Sequence, residues 1–271
     1  MSETLKKSIE RIQPDRFYSI VEYLVFLRHL AAYEYVLSLI DSKMAVIDYG
    51  SGEGYGTRLL SEKCATITGL DINQMSINHA RTKYQNTTCT FDLFDGKTIP
   101  REDNSIDMVI SFQVIEHVPD VRAYLTEIER VLKNGGLFIC TTPNRLYRLR
   151  PGEKPWNPYH LREYTPDELK SELQSVFNDT SLLGVHGTDE AHRIEVERAQ
   201  VNWTLKSKLA RNTPDVIKSS IKRIKGIISP PKPPTILNEE QLSKFSSEDF
   251  FVKDSDIDDC LDLFALCKKS S

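Results

Sequence analysis

The sequence predicts a doubly wound α/β fold, in which a parallel sheet is covered by helices on both faces. Three observations carry this reading. From residue 45 to about residue 187, short apolar or β-branched runs alternate with stretches of helical periodicity, as consecutive βαβ units do. The first run, VID, leads straight into G-S-G-E-G, with glycines at 50, 52 and 54. The next two runs end on acids, in TGLDIN and FDLFDG. Parallel strands bring their C-terminal ends to one edge, so these three endings share a crevice.

Strands are expected at AVIDYG, TITGLDI, TCTFDLF, DMVISF, LFICTT and SLLGV. Helices are expected over 55–63, 74–84 and 121–133, the last ending at Asn134-Gly135-Gly136, a helix C-terminal signal. Thr165-Pro166-Asp167-Glu168 joins an N-cap, proline at N1 and glutamate at N3, and opens a further helix. Residues 17–40, FYSIVEYLVFLRHLAAYEYVLSLI, are long enough to raise a membrane span, but Glu22, Arg28, His29 and Glu34 interrupt them. Charge is costly in a bilayer, so the stretch reads as an amphipathic helix lying on the domain. A final run, LDLFALCKK at 261–269, reads as an added edge strand.

The 271 residues are 39% hydrophobic and 27% charged, enough for a sizeable core. The net charge of −4 does not announce a nucleic-acid binder. Five scattered cysteines without a C-x-x-C argue against a disulfide framework or thiolate zinc site and for buried reduced thiols in the cytosol. The N-terminus lacks the apolar core of a signal peptide. Residues 201–234 carry eight Lys/Arg against one Asp, and residues 235–262 carry nine Asp/Glu against two Lys. SPPKPP at 229–234 lies between them and should be an extended linker. The expected division is an N-terminal helical cap over 1–43, a core over 44–187, a helical and linker insertion over 188–258 that could serve as a lid, and a last core strand over 259–271.

Clustered glycines need a local reason, because glycine loses the most backbone freedom on folding. At a strand-to-helix turn the reason is a tight bend, or a ligand brought close to exposed N–H groups. The dinucleotide fingerprint G-x-G-x-x-G would need glycine at 55, where Tyr55 stands, which sets a dinucleotide oxidoreductase aside. Asp71 follows the glycines by about 20 residues, where an acid can grip a ribose diol. Each aspartate alone could be a cap or turn residue; all three endings together point to a nucleoside-bearing ligand.

VIDYGSGEGYG, GLDIN, FDLFDGKTIPREDNSIDMVISFQVIEHVPD and EIERVLKNGGLFICTTPN together resemble a class I S-adenosylmethionine-dependent methyltransferase. The resemblance implies a Rossmann-like sheet of seven strands with the last antiparallel. It implies S-adenosyl-L-methionine as cofactor, with Gly50, Ser51, Gly52 and Gly54 along its methionine part and Asp48 bracing the loop. Asp71 would hold the ribose hydroxyls with Ile72 beside it, Asp95 and Gly96 would meet the adenine, and Gln113 would touch the cofactor. Ser51 stands where the family often has cysteine.

The stretch F-Q-V-I-E-H-V (112–118) follows the fourth strand, where the loop faces the transferred methyl. With N-P-Y-H-x-x-E-Y at 157–164 it most resembles bacterial methyltransferases of cell-surface glycans and related sugars, which implies O-methylation of a sugar hydroxyl in a glycan or its precursor. A hydroxyl acceptor gains from losing its proton during attack, and histidine is the natural base. His117 is the first candidate, with Glu116 or Glu163 orienting it and His160 completing the group; a turn cap before Pro119 is the plain structural alternative. A metal reading ranks below this. Glu116, His117 and His160 could form an N/O ligand set, similar to that of small-RNA 3′-terminal 2′-O-methyltransferases, but Gln113 replaces the first carboxylate of that pattern. His29 and Tyr33, one helical turn apart, read as packing residues. The expected partner is a hydroxyl-bearing, sugar-containing acceptor reached in the cytoplasm. VIKSSIKRIKGIIS (216–229) could lie on an anionic inner-membrane surface, act as a lid, or meet RNA phosphates. RNA 2′-O-methylation and a catalytically silent cofactor-binding protein stay open beside the leading reading.

Overall fold

The computed structural model describes residues 14–203 and 236–270. The basic stretch over 204–235, with Lys218, Lys222, Lys225 and the SPPKPP linker, lies outside the described residues. In chain order the elements are α1 (Ile20–Leu37), β1 (Ala45–Tyr49), α2 (Tyr55–Leu60), β2 (Thr66–Asp71), α3 (Gln74–Tyr84), β3 (Cys89–Leu93) and β4 (Ile106–Phe112). There follow α4 (Val121–Val131), β5 (Leu132–Pro143), α5 (Arg145–Arg148), α6 (Pro166–Gln174), β6 (Asp179–Gly187) and α7 (Asp189–Trp203). Beyond residue 236 come α8 (Glu239–Leu242), β7 (Phe250–Lys253) and β8 (Asp262–Lys268).

One mixed sheet runs β3-β2-β1-β4-β5-β8-β6-β7. Neighbours among β1 to β5 are parallel, and β8 is antiparallel to both β5 and β6. The reversal between β2 and β4 either side of β1 is the switch point at which such sheets bind ligands. Helices cover both faces. Leu125 and Ile128 of α4 and Leu169 and Leu173 of α6 meet Ile47, Val109 and Phe138 on one. Tyr33 and Val36 of α1, Leu60 of α2 and Ile77 of α3 meet Val46, Met108, Ile110 and Phe264 on the other. Strands buried on both faces read as continuous apolar runs rather than as alternation.

Three expectations are corrected. The run at 261–269 is interior, seated between β5 and β6 with Leu263, Phe264, Ala265 and Cys267 fully buried; an edge strand would not be apolar on both faces. The sheet has eight strands because β7 pairs antiparallel with β6 at the far edge. The helix expected over 121–133 stops at Val131, since Leu132 already pairs with Ile106 as strand. Asn134-Gly135-Gly136 instead lies inside β5, where the register shifts and Gly135 takes φ +76°.

The capping box expected at Thr165 is present, with Thr165 and Glu168 each accepting the other's backbone N–H. All five cysteines are buried and unpaired. No helix among the described residues is long and apolar enough to cross a membrane.

Candidate active site

The glycine loop leaves β1 and winds through φ values of +84°, +53° and +84° at Gly50, Gly52 and Gly54, a region in which only glycine sits without strain. Space explains the same positions. A Cβ on Gly50 would lie 2.4 Å from Val114 Cγ2, and one on Gly54 would lie 2.7 Å from both Ala80 and Phe91. At Gly52 nothing stands within 4 Å, so the loop's open side lies there. Gly56 serves packing instead, because the Tyr33 ring comes within 2.2 Å of where its Cβ would be.

Asp71, at the end of β2, accepts the Gly52 N–H (2.9 Å) through Oδ2 and the Asn73 N–H (2.7 Å) through Oδ1. An acid at the C-terminal end of the second strand is the group that a ribose diol hydrogen-bonds in sheets of this kind. Ile72 beside it is 69% exposed, a large apolar side chain turned outward at the switch point. Its Cγ2 lies 3.0 Å from where a Cβ on Gly96 would be, so the two frame one slot. Asp95 spends Oδ1 on the N–H groups of Lys97 and Thr98 (both 2.8 Å), which hold its carboxyl below the usual range. Asp48 is fully buried and meets Thr57 (2.6 Å) and Tyr33, so its bracing runs through the first turn of α2 and through α1. Burial pushes its carboxyl up to about 7 against those hydrogen bonds. Ser51 turns its hydroxyl toward Gly69 of β2, away from the open side. Gln113 adopts φ +56° and donates its side-chain amide to Thr141 (3.3 Å). Together the open loop, the acid at the end of β2 and the exposed apolar slot fit a nucleoside-bearing cofactor with a charged amino-acid end.

Val114 lies against Gly50, so the turn carrying Glu116 and His117 abuts the glycine loop. The ligand-capable atoms of Glu116, His117 and His160 all lie within 4.8 Å of one another. His117 Nδ1 is 2.9 Å from the Tyr159 carbonyl, and His160 Nδ1 is 2.7 Å from Glu163 Oε1. A carbonyl only accepts, so His117 carries a proton on Nδ1, and in the neutral ring the lone pair is then on Nε2. Glu116 is fully buried; Oε2 accepts from Thr142 (3.0 Å) and Oε1 has no hydrogen-bond partner. Burial pushes this carboxyl up to about 8, opposed by the Glu116 backbone and Thr142 hydrogen bonds.

The group expected from the sequence is thus assembled from two segments 42 residues apart. Sequence reasoning missed Thr142, Arg148 and Trp156, which stand around this group without a motif of their own.

Replacing Asp71 with alanine should weaken binding of S-adenosylmethionine by about 1.5–3 kcal/mol, because a charge-assisted hydrogen bond and the clasp on Gly52 are lost together. Calorimetry on the folded variant checks this, and unchanged affinity removes Asp71 from the site.

Comparison with known proteins agrees with this geometry. A methyltransferase-domain family model matches residues 47–140. A relative from Mycolicibacterium smegmatis, named as a probable S-adenosylmethionine-dependent methyltransferase, is 31% identical over 249 residues, covering 89% of this chain and 87% of that one. A ubiquinone biosynthesis O-methyltransferase of Cereibacter sphaeroides is 29% identical over 182 residues, covering 60% and 70%. Among solved structures, an S-adenosylmethionine-dependent methyltransferase of Thermotoga maritima superposes with TM-score 0.56 at 15% identity, over 90% of this chain and 92% of that one. This chain belongs to the class I S-adenosylmethionine-dependent methyltransferases. It is an enzyme whose cofactor is S-adenosyl-L-methionine.

Proposed function

We propose that this enzyme methylates a hydroxyl group, with His117 as the general base. The observation that carries the reading is the His117 ring: its Nδ1 proton is committed to the Tyr159 carbonyl, and its turn touches the cofactor loop through Val114. The bound cofactor supplies an activated methyl on a sulfonium. Held at the glycine loop and Asp71, the cofactor would supply its methyl to the acceptor oxygen and leave as the neutral thioether, and His117 Nε2 would take the hydroxyl proton. The cofactor needs no further activation, so positioning carries much of the rate.

The acceptor in this reading is sugar-containing with an apolar part. Tyr159 (38% exposed) and Leu161 (57% exposed) flank His160 and offer an apolar shelf beside the reacting group. The Cereibacter relative's printed name, an O-methyltransferase, supports an oxygen acceptor. Labelled-methyl transfer into cell extracts, fractionated into glycan, lipid, RNA and small molecules, tests the acceptor. Label on a lipid-linked or free sugar supports it, and label confined to RNA or to nitrogen defeats it.

A second reading rests on Glu116 Oε1, a buried carboxylate oxygen with no partner beside two imidazoles. With His117 and His160 it could hold a divalent cation that binds the acceptor oxygen. Under the base reading, chelators should leave the rate unchanged. Under the metal reading, chelation should abolish activity and an added divalent ion restore it, as turnover assays before and after dialysis against chelator would show.

A further inference from the structure

His160 is held by a series of buried charges that no motif announces. Glu163 takes Arg148 Nε (3.0 Å) on Oε2, and Arg148 Nη2 (3.1 Å) together with His160 Nδ1 (2.7 Å) on Oε1. The Arg148, Glu163 and His160 side chains are 7% exposed or less. The Arg148 guanidinium lies 4.4 Å from the Trp156 ring centroid, and Arg198 of α7 approaches the same ring at 5.7 Å. Arg198 pairs with Glu195 (3.1 Å), Glu195 with Arg28 of α1 (2.6 Å), and Arg28 with Asp262 at the start of β8 (2.7 Å).

Donor and acceptor counting gives this series a direction. A guanidinium only donates, so Glu163 accepts on both oxygens, and His160 must then place a proton on Nδ1, which in the neutral ring puts the lone pair on Nε2. The bidentate fork also fixes the carboxylate plane, which a lysine in the same place would not. The aromatic face beneath the fork limits its tilt. We propose that Arg148, seated on Trp156, is a positioning residue for methyl transfer: through Glu163 it sets the tautomer and aim of His160 toward Glu116 and His117. The inference rests on the acceptor-site reading above and holds whether that group acts as a base cluster or holds a cation.

The test combines nitrogen-15 spectra of the histidine rings in the chelator-treated full chain, which read the tautomer, with turnover and cofactor affinity in the untreated full chain. Wild-type His160 should be the Nδ1–H tautomer. Arg148→Met should give a tautomer mixture and lower kcat by about 10–100-fold, the usual effect of losing an outer-shell orienting partner, with cofactor affinity within twofold. Arg148→Lys should recover part of the rate. Trp156→Leu, which leaves every charge in place, should move tautomer and rate in the same direction by less, and it keeps the proposal testable if Arg148→Met fails to fold. An Nε2–H tautomer in the wild type overturns the proposal, as does an unchanged tautomer or kcat in folded Arg148→Met, or in Trp156→Leu. His160→Ala separates the two readings. Full activity in that variant removes His160 from the acceptor site, while the tautomer spectra still report whether Arg148 orients the ring.

Discussion

Replacing His117 with alanine should lower kcat by about 10²–10⁴-fold while affinity for S-adenosylmethionine stays near wild type. The separation follows from position. In this reading the cofactor is held by the glycine loop, Asp71 and the Ile72 slot, whereas the turn of His117 meets that loop through Val114. The lost term belongs to proton removal, so it appears in turnover. The wild-type rate should also fall on acidification, because an imidazolium has no lone pair to accept the hydroxyl proton. If a cation does the work instead, His160→Ala should be about as damaging as His117→Ala, since each supplies one ligand of three, and the loss should track metal content. Steady-state kinetics with the true acceptor and metal analysis of each variant distinguish these patterns. Full activity in His117→Ala would leave positioning alone to carry the reaction and defeat both.

Replacing Arg28 with methionine should destabilise the fold by about 3–5 kcal/mol, the usual consequence of stripping one partner from a buried ion pair. Arg28 is 3% exposed and faces Glu195 (0%) and Asp262 (2%) at 2.6 and 2.7 Å. Its removal leaves two carboxylates out of water, with Arg198 the remaining partner of Glu195. For a chain of this size the loss corresponds to a fall in Tm of roughly 10 °C. Adding Glu195→Gln and Asp262→Asn to Arg28→Met should restore much of it, because neutral amides cost far less to bury. Thermal unfolding of the single and combined variants measures this, and a single-variant change within about 2 °C would show that the three charges contribute nothing net.

The parts of the fold visible in the sequence were those with local causes. Glycines 50, 52 and 54 announce a turn because their backbone angles and close neighbours forbid a side chain. Thr165 and Glu168 announce a helix start because the capping box lies within four residues. The interior place of β8 was not visible, since a short apolar run reads alike at an edge and in the middle until its neighbours are known. Residues 132–136 misled for a related reason: Asn-Gly-Gly can end a helix or form a bulge, and pairing of Leu132 with Ile106 decides between them. Within the site, His117 and Glu116 followed from their place after β4. Arg148, Trp156 and Arg198 did not, because their roles arise from contacts across 42 residues between Trp156 and Arg198, and from burial that composition cannot show.

The order of synthesis gains a meaning from the place of β8. The segment from Ala45 to Pro143 emerges from the ribosome with five parallel strands and an open edge on β5, whose partner, Asp262–Lys268, is still unmade. At about 5–20 residues per second the wait lasts roughly 6–25 s. During it the backbone groups of β5 that later pair with Leu263, Ala265 and Cys267 are without that partner, along a stretch whose side chains are buried in the finished protein. An exposed edge of this kind invites pairing with another nascent chain. For some seconds of each synthesis the half-built sheet therefore carries an edge that only the last strand of its own chain is shaped to close.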